Sequence, residues 1–369
     1  MKFREIKVKS QSSGYSIIIG KNILNILSKR IRKICPDAKK IGLIIDSKVP
    51  KIFKKKIIKN LKNYEIFIFE YATNENLKSF KNVNSLTEKC LKNNFNRSDV
   101  LIAIGGGVVG DFTGFVASII KRGLNFINIP STLLAQVDSS IGGKTGVNSE
   151  YGKNLIGSFY QPKLVISDAI FLKSLPKREV ICGYAEILKH SLILNNNFFK
   201  WIETNSKKIL LNKDLNFANI AVYKSCQIKL FFVNKDVSEK NLRMILNFGH
   251  TFAHAIESKN KFSKKINHGE AVLMGMMMAT KLSYLLGIAA KKTLNKIESI
   301  YFNNNINYSF NDYFSLRDLP KITKFMLNDK KNNDSKINLI LLKNIGKTTV
   351  PGTIKISLNK LQALMPKII

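Results

Sequence analysis

Three of the four histidines in this 369-residue chain fall between His250 and His268, in the stretch NFGHTFAHAIESKNKFSKKINHGEAVLMGM. Neutral imidazole is the commonest metal ligand and the readiest general base near neutral pH. Such clustering in a histidine-poor chain therefore points to metal binding or proton transfer. His250 and His254 are four residues apart, so on a helix they share a face one turn apart, and Glu257 continues that face. His268 follows a Lys/Asn/Ser loop and opens a second apolar helix. Two helices meeting at their ends, each offering an imidazole, would make a metal site once a carboxylate joined them from elsewhere. The stretch lacks the Glu of the HExxH metalloprotease signature and is not complete by itself. A pair of core histidines with one helix cap is the alternative reading.

A second chemical feature is Gly105-Gly106-Gly107-Val108-Val109-Gly110-Asp111, which follows an apolar run and opens a helix. Gly105, Gly107 and Gly110 fit GxGxxG, a spacing that allows a tight turn and a close approach of backbone to a pyrophosphate at a helix N-terminus. The acidic residue expected about twenty positions later is missing, since that region reads Phe126-Ile127-Asn128-Ile129-Pro130. Asp46, ending an earlier apolar run, is the alternative candidate for an adenosine ribose. A close helix–sheet contact is the competing reason for the glycines. Further on, Pro130 to Asn148 and Gly152 to Gly157 are rich in small residues and carry Lys144 and Lys153, which suits backbone wrapped around an anion. The GGKT within it fails the P-loop frame, because Asp138 stands where the first glycine belongs. An ATPase reading is excluded.

These residues must be positioned by regular elements. Apolar runs at Ile41–Ile45, Tyr64–Tyr71, Val100–Ile104 and Phe126–Ile129 alternate with helical patterns at Lys51–Lys62 and Val83–Asn93. That alternation predicts a largely parallel sheet with helices on both faces. Most of Lys177–Lys291 has helical periodicity. Ile337–Leu342 and Thr348–Val350 read as a small hairpin or as short packed strands. The expected architecture is α/β, with a Rossmann-like domain over residues 1–172 and a mostly α-helical domain over 173–369. The first fifty residues and Asn303–Asn311 carry no functional signal.

Composition narrows the function classes. Hydrophobic content of 45% is ample for buried cores. No run reaches eighteen apolar residues, so no membrane span is expected. The N-terminal MKFREIKVKS lacks the apolar core of a signal peptide, so a cytoplasmic location is expected. Cys35, Cys90, Cys182 and Cys226 are far apart and read as reduced, mostly buried thiols. A net charge of +35 would suit a nucleic-acid binder. The excess is nearly all lysine, however, and is spread along the chain, with short runs such as Lys54-Lys55-Lys56 and Lys330-Lys331. Arginine is the preferred reader of phosphates and base edges. Lys, Asn and Ile all have AT-rich codons, so mutational bias accounts for the composition and no nucleic-acid partner is expected. A basic surface would still draw in an anionic substrate.

Taken together, GGGVVGDFTGF, IPSTLLAQVDSSIGGKTGVN, GKNLIGSFYQP, GYAEILKH, LNFGHTFAHAIE and HGEAVLMGM resemble the 3-dehydroquinate synthase family, with matching motifs from about Asp46 to about Lys347. The resemblance implies an NAD-binding α/β domain joined to a helical, zinc-binding domain, with Co2+ as the alternative metal, usually in a homodimer. It implies conversion of 3-deoxy-arabino-heptulosonate 7-phosphate to 3-dehydroquinate and phosphate in the shikimate pathway. The implied chemistry is a transient oxidation by NAD, phosphate elimination, re-reduction and an intramolecular aldol closure.

By the same resemblance the metal ligands would be Glu186, His250 and His268, which supplies the missing carboxylate. Lys144, Asn154 and His254 would face the phosphate, with Lys347 a further contact. Lys189, Lys229, Arg243 and Asn247 would hold the carboxylate and hydroxyls. Arg243 precedes His250 by seven residues, so one face would serve both if the helix is continuous. Arg122 would reach the partner subunit's site. NAD contacts would fall to Asp46, Glu75, Lys78, Gly106, Gly107, Val108, Asp111, Ser131, Thr132, Asp138, Ser139, Lys144 and Lys153.

Departures from the family pattern are Asn74 where Gly is frequent, Ser131 for Thr, and Asn241 for Gly in Glu239-Lys240-Asn241-Leu242-Arg243. The first and last would alter loop geometry if φ there is positive. Other sugar-phosphate cyclases share many motifs but act on substrates without a carboxylate, and Arg243, Lys229 and His254 argue for the carboxylated one. Metal-dependent dehydrogenases of the glycerol dehydrogenase type would release NADH and do not need Lys144 and Asn154.

Overall fold

The computed structural model describes residues 3–9, 14–237, 239–260, 265–306, 309–327 and 336–369. Lys330-Lys331 and part of the Asn-rich stretch, residues 307–308, lie outside them. Two compact units divide the chain: residues 1–180 with 213–230, and residues 181–212 with 231–369. The division differs from a single boundary at 172/173, because residues 213–230 cluster with the first unit. There the Cys226 thiol donates to the Gln136 carbonyl (3.4 Å) and Lys229 Nζ to the Asp138 carbonyl (2.6 Å).

The first unit is built on a seven-stranded sheet. In chain order its elements are β1 (Phe3–Val8), β2 (Tyr15–Gly20), α1 (Leu27–Ile34), β3 (Lys40–Asp46), α2 (Lys51–Asn60), β4 (Glu65–Tyr71), α3 (Phe80–Lys92), β5 (Val100–Gly105), α4 (Gly107–Ile119) and β6 (Asn125–Pro130). A two-stranded hairpin of β7 (Lys144–Ser149) and β8 (Gly152–Phe159) follows, then β9 (Leu164–Asp168). The sheet order is β1-β2-β9-β6-β5-β3-β4, parallel except for β1 against β2.

The central strands are uninterrupted apolar runs because both faces are covered. Ile41, Leu43 and Ile45 of β3 and Val100, Ile102 and Ile104 of β5 pack with Leu27, Ile31 and Ile57 of α1 and α2. The alternate residues, Ile44, Leu101 and Ala103, pack with Val83, Leu86, Val109 and Phe112 of α3 and α4. The period of two along each strand assigns the two faces. Strand order reverses between β3 and β5: the chain steps from β3 to β4 on one side, then to β5 and β6 on the other. The carboxyl ends at such a switch point form the crevice where open α/β sheets take ligands. Asp46 ends β3 and Gly105 ends β5.

The remaining elements are α5 (Lys177–Leu194), α6 (Asn196–Leu210), α7 (Leu215–Lys235), α8 (His250–Lys259), α9 (His268–Leu285), α10 (Lys291–Asn303), α11 (Leu319–Leu327), short strands β10 (Lys336–Asn338), β11 (Leu342–Asn344), β12 (Lys347–Thr348) and β13 (Lys355–Ser357), and α12 (Leu358–Leu364). Of the small hairpin or short packed strands expected here, the hairpin forms between β11 and β12, where Leu342 opposes Thr348, while β10 pairs instead with β13. Strands β1, β2 and β9 were not expected. All four cysteines are free and buried. No helix among the described residues is long and apolar enough to cross a membrane.

Candidate functional site

In the second unit, glycines bring three helix segments within ligand distance. Gly249 takes φ +79 and breaks the chain just before His250, the first residue of α8. A Cβ at Gly275 of α9 would stand 2.2 Å from the Gly249 carbonyl oxygen, so α9 runs against the start of α8. A Cβ at Gly269 would stand 2.2 Å from Cys182 Cα, so the first turn of α9 also lies on α5. Glu186 is one turn beyond Cys182. His268 is fixed at the first position of α9 by a capping box: Asn267 Oδ1 accepts from the Glu270 N–H, and Glu270 Oε2 from the Asn267 N–H, both at 2.9 Å.

The result is a compact donor set of Glu186, His250 and His268. His250 Nε2 lies 3.5 Å and His268 Nε2 4.0 Å from Glu186 Oε1. Two ligands about 2.1 Å from an ion at the tetrahedral angle stand roughly 3.4 Å apart, so these separations suit a small cation. Glu186 is fully buried, and its Oε1 has no hydrogen-bond partner among the described residues, while Oε2 is ion-paired with Lys189. An unsatisfied buried carboxylate oxygen facing two imidazole nitrogens fits a divalent metal better than a core histidine pair. Burial, reinforced by the Lys189, His268 and His254 charges, holds His250 well below the usual imidazole range, so its ring is neutral and able to ligate. His250 Nδ1 faces the Phe248 carbonyl at 3.3 Å. His254 stands outside the three-donor set, its ring 5.5 Å from that of His250 and perpendicular to it. One neighbour was not predicted as a site residue: Glu257 Oε2 lies 3.3 Å from His268 Nδ1. The only sequence signal for it is its place on the His250–His254 face.

Arg243 and Asn247 are not on the helix of His250. They lie in a short 3-10 segment, Leu242–Asn247, and Gly249 ends any continuity, so the expected two-turn helical spacing to His250 does not exist. Asp236 shapes this segment by accepting the N–H groups of Lys240 (3.1 Å), Asn241 (2.7 Å) and Arg243 (3.1 Å). Burial opposes that charge, but these hydrogen bonds prevail and hold the Asp236 carboxyl below its usual range. Arg243 is buried, with Nη1 donating to the Val237 carbonyl (2.7 Å), and Asn247 donates to Glu239 Oε1 (3.1 Å). Asn241 has φ −139, so a glycine is not required there; Glu239 is the residue in the left-handed region. Lys347, exposed on β12, follows Gly346, whose N–H donates to the Leu192 carbonyl near the end of α5 (2.7 Å).

In the first unit the glycine turn makes the close helix–sheet contact that was one of its two sequence readings. A Cβ at Gly105 would meet Val109 Cγ2 at 2.7 Å and Asp46 Cβ at 3.2 Å, a close helix–sheet contact. Gly106 caps α4 with no side-chain hydrogen bond, and a Cβ on Gly107 would reach Ser139 Oγ at 2.8 Å. Ser139 Oγ is buried without a partner among the described residues, beside these amides. Val108 follows in the first turn of α4. The Ser131 N–H donates to the Gly105 carbonyl (2.8 Å), and Thr132 Oγ1 accepts from Ala135 (3.2 Å). A helix start without a side-chain cap and an orphan hydroxyl at the sheet's switch point fit a pyrophosphate.

Charged pairs flank this turn. Lys78 Nζ, buried, bonds Asp111 Oδ2 at 2.6 Å and also Asn154 Oδ1. Burial pushes the Asp111 carboxyl up, with Lys78 pulling against it. Lys229 Nζ bonds Asp138 Oδ1 at 2.7 Å. Glu75 accepts from Asn148 (2.9 Å) and stands 3.8 Å from Lys153. Asn74, extended at φ −149, uses its side chain to cap the following turn, so its replacement of glycine is also harmless. Lys144 opens β7 and is exposed. Arg122 is exposed and left-handed (φ +65) beyond the far end of the thirteen-residue α4, about 20 Å from the glycine turn. The structure sets it apart from the glycine turn.

Sequence models of the 3-dehydroquinate synthase N-terminal and C-terminal regions match residues 68–182 and 183–332. The chain is 51% identical over 342 residues to the 3-dehydroquinate synthase of Pelagibacter ubique, covering 93% of both chains. It belongs to the 3-dehydroquinate synthase family. Among solved structures, a 2-deoxy-scyllo-inosose synthase complexed with carbaglucose-6-phosphate, NAD+ and Co2+ superposes with TM-score 0.87 at 24% identity, over 99% of this chain and 100% of that one. A 2-epi-5-epi-valiolone synthase from Streptomyces hygroscopicus with NAD+ and Zn2+ bound gives 0.85 at 21% identity, over 98% of each. At such identities the likeness is one of fold. Membership in the synthase family explains why motifs spread from the glycine turn to His268 occur in one chain.

Proposed function

We propose that this protein is a 3-dehydroquinate synthase, a carbon–oxygen lyase that converts 3-deoxy-arabino-heptulosonate 7-phosphate to 3-dehydroquinate and phosphate. The observation that carries the reading is the buried Glu186 carboxylate, with one oxygen unsatisfied between two imidazoles. Family membership supplies the substrate. When bound, NAD supplies a reversible hydride acceptor and a divalent metal, Zn2+ or Co2+, a Lewis acid.

Glu186, His250 and His268 hold the metal. The amides of Gly106, Gly107 and Val108 bind the pyrophosphate of NAD, with Ser131, Thr132 and Ser139 beside them and Asp46 on the ribose. Glu75, Lys78, Asp111, Asp138, Lys144 and Lys153 complete the cofactor's surroundings. Lys144, Asn154, His254 and Lys347 bind the substrate phosphate, and Arg243, Asn247, Lys189 and Lys229 its carboxylate and hydroxyls. Two of these lysines already hold carboxylates, Lys189 that of Glu186 and Lys229 that of Asp138. Each ammonium is thus fixed in place before an anionic substrate arrives, which lowers the ordering cost of binding it. His254 would take up or return a proton as phosphate leaves. We propose a homodimer in the cytoplasm in which Arg122, remote from its own glycine turn, serves the partner subunit.

Incubation with the heptulosonate phosphate, NAD and zinc tests the reading. Equimolar dehydroquinate and phosphate without net NADH, both lost on chelation, is the expected result. Net NADH without phosphate release would indicate a dehydrogenase instead.

A further inference from the structure

His268 meets a carboxylate on the ring nitrogen turned away from the metal donors. Its Nδ1 lies 3.3 Å from Glu257 Oε2 and 3.4 Å from Oε1, while Nε2 is the atom near Glu186. An imidazole that offers Nε2 to a metal carries its proton on Nδ1, and that N–H must donate. Both Glu257 oxygens accept from the same direction. His250 is treated differently, its Nδ1 facing a neutral carbonyl, that of Phe248. The difference follows exposure: the His268 side chain is 34% exposed and that of His250 12%. The ring least held by packing has the charged partner, and that partner is itself buried on α8, two turns beyond His250.

We infer that Glu257 is a positioning residue of the metal centre, fixing the tautomer and ring plane of His268 and strengthening Nε2 as a donor through its negative charge. It does not touch the ion. The inference rests on Glu186, His250 and His268 holding the metal. Its test is Co2+ titration of the full-length, metal-stripped protein, read by visible absorption and by competition with a chromogenic chelator, in wild type, E257Q, E257A and E186Q. Outer partners of this kind typically contribute roughly 10- to 100-fold in metal affinity. E257Q keeps an acceptor without the charge and should weaken binding roughly tenfold; E257A should approach the upper end of that range and shift the Co2+ bands. E186Q should weaken binding further still. Far-UV circular dichroism and melting of the metal-free proteins establish that the variants are folded. If E257A does not fold, E257Q decides. Wild-type affinity and an unchanged Co2+ spectrum in a folded Glu257 variant would overturn the inference. Failure of the wild type itself to bind Co2+ would overturn the metal reading instead.

Discussion

The metal centre and the glycine turn are both assembled by glycine contacts, but with different tolerances. At the metal centre the contacts are backbone against backbone: Gly269 on Cys182 Cα and Gly275 on the Gly249 carbonyl. At the glycine turn they are mostly backbone against side-chain ends, Gly107 on Ser139 Oγ and Gly106 on Thr132 Cγ2. A helix backbone cannot step aside without moving its whole element, whereas a hydroxyl can rotate. The helical unit therefore holds three donor side chains at fixed separations, as coordination geometry demands. The sheet unit presents amides around an anion, which tolerates adjustment.

Gly269→Ala should break the comparison most severely. The new methyl cannot be accommodated without separating α9 from α5, so a loss of about 3 kcal/mol or more in unfolding free energy is expected, with metal binding lost in parallel. Chemical denaturation and Co2+ titration check both. Gly107→Ala should cost under about 1 kcal/mol of stability yet weaken NAD severalfold, measurable by fluorescence titration. Comparable destabilisation by the two would erase the distinction.

Lys229→Ala should remove the 2.7 Å ion pair to the Asp138 carboxylate. Losing a charge-assisted hydrogen bond of this kind costs about 2 kcal/mol, expected as a fall of that size in unfolding free energy by urea denaturation. Replacing Asn241 by Gly should change unfolding free energy by only about 0.5 kcal/mol and leave KM alone, since φ there is negative. The smallest effect belongs to an ion pair remote from the metal donors, Lys259 with Asp318 at 2.7 Å. The hydrogen bond from Lys259, helped by the Ser315 N–H, lowers the Asp318 pKa to about 2. The folded carboxyl is the stronger acid, so its stabilisation is complete above the unfolded value near 4 and disappears as pH falls through about 2. Asp318→Asn should lose about 0.5 kcal/mol at pH 7, less in high salt, and nothing below pH 2 in urea melts.

Legibility from sequence followed the same division. Strands β3, β5 and β6 could be read because burial on both faces makes them nearly continuous apolar runs, and the edge strand β4 because it is rich in aromatic and β-branched residues. The hairpin of β7 and β8 could not, because Gly146 and Gly157 pair directly and leave no alternating pattern. Strand β1 is short and largely exposed, so it too lacks an apolar signature. In the site, His250 and His268 stood out by their rarity. Glu186 lies 64 residues before His250 on a separate helix, and only the motif around it, GYAEILKH, pointed there. The supposed helix through Arg243 failed because a local residue choice, Gly249 at positive φ, outweighs seven-residue spacing. Asp236 and Glu257 act through other residues, on backbone amides and on an imidazole, and such second-hand roles leave no spacing to read.

The most direct test of the account follows a hydride. A heptulosonate phosphate carrying deuterium on the carbon that is transiently oxidised should yield dehydroquinate with the label on that same carbon, even when excess unlabelled NADH is present. Loss of the label to solvent or to free nicotinamide would contradict an oxidation and re-reduction completed within one turnover.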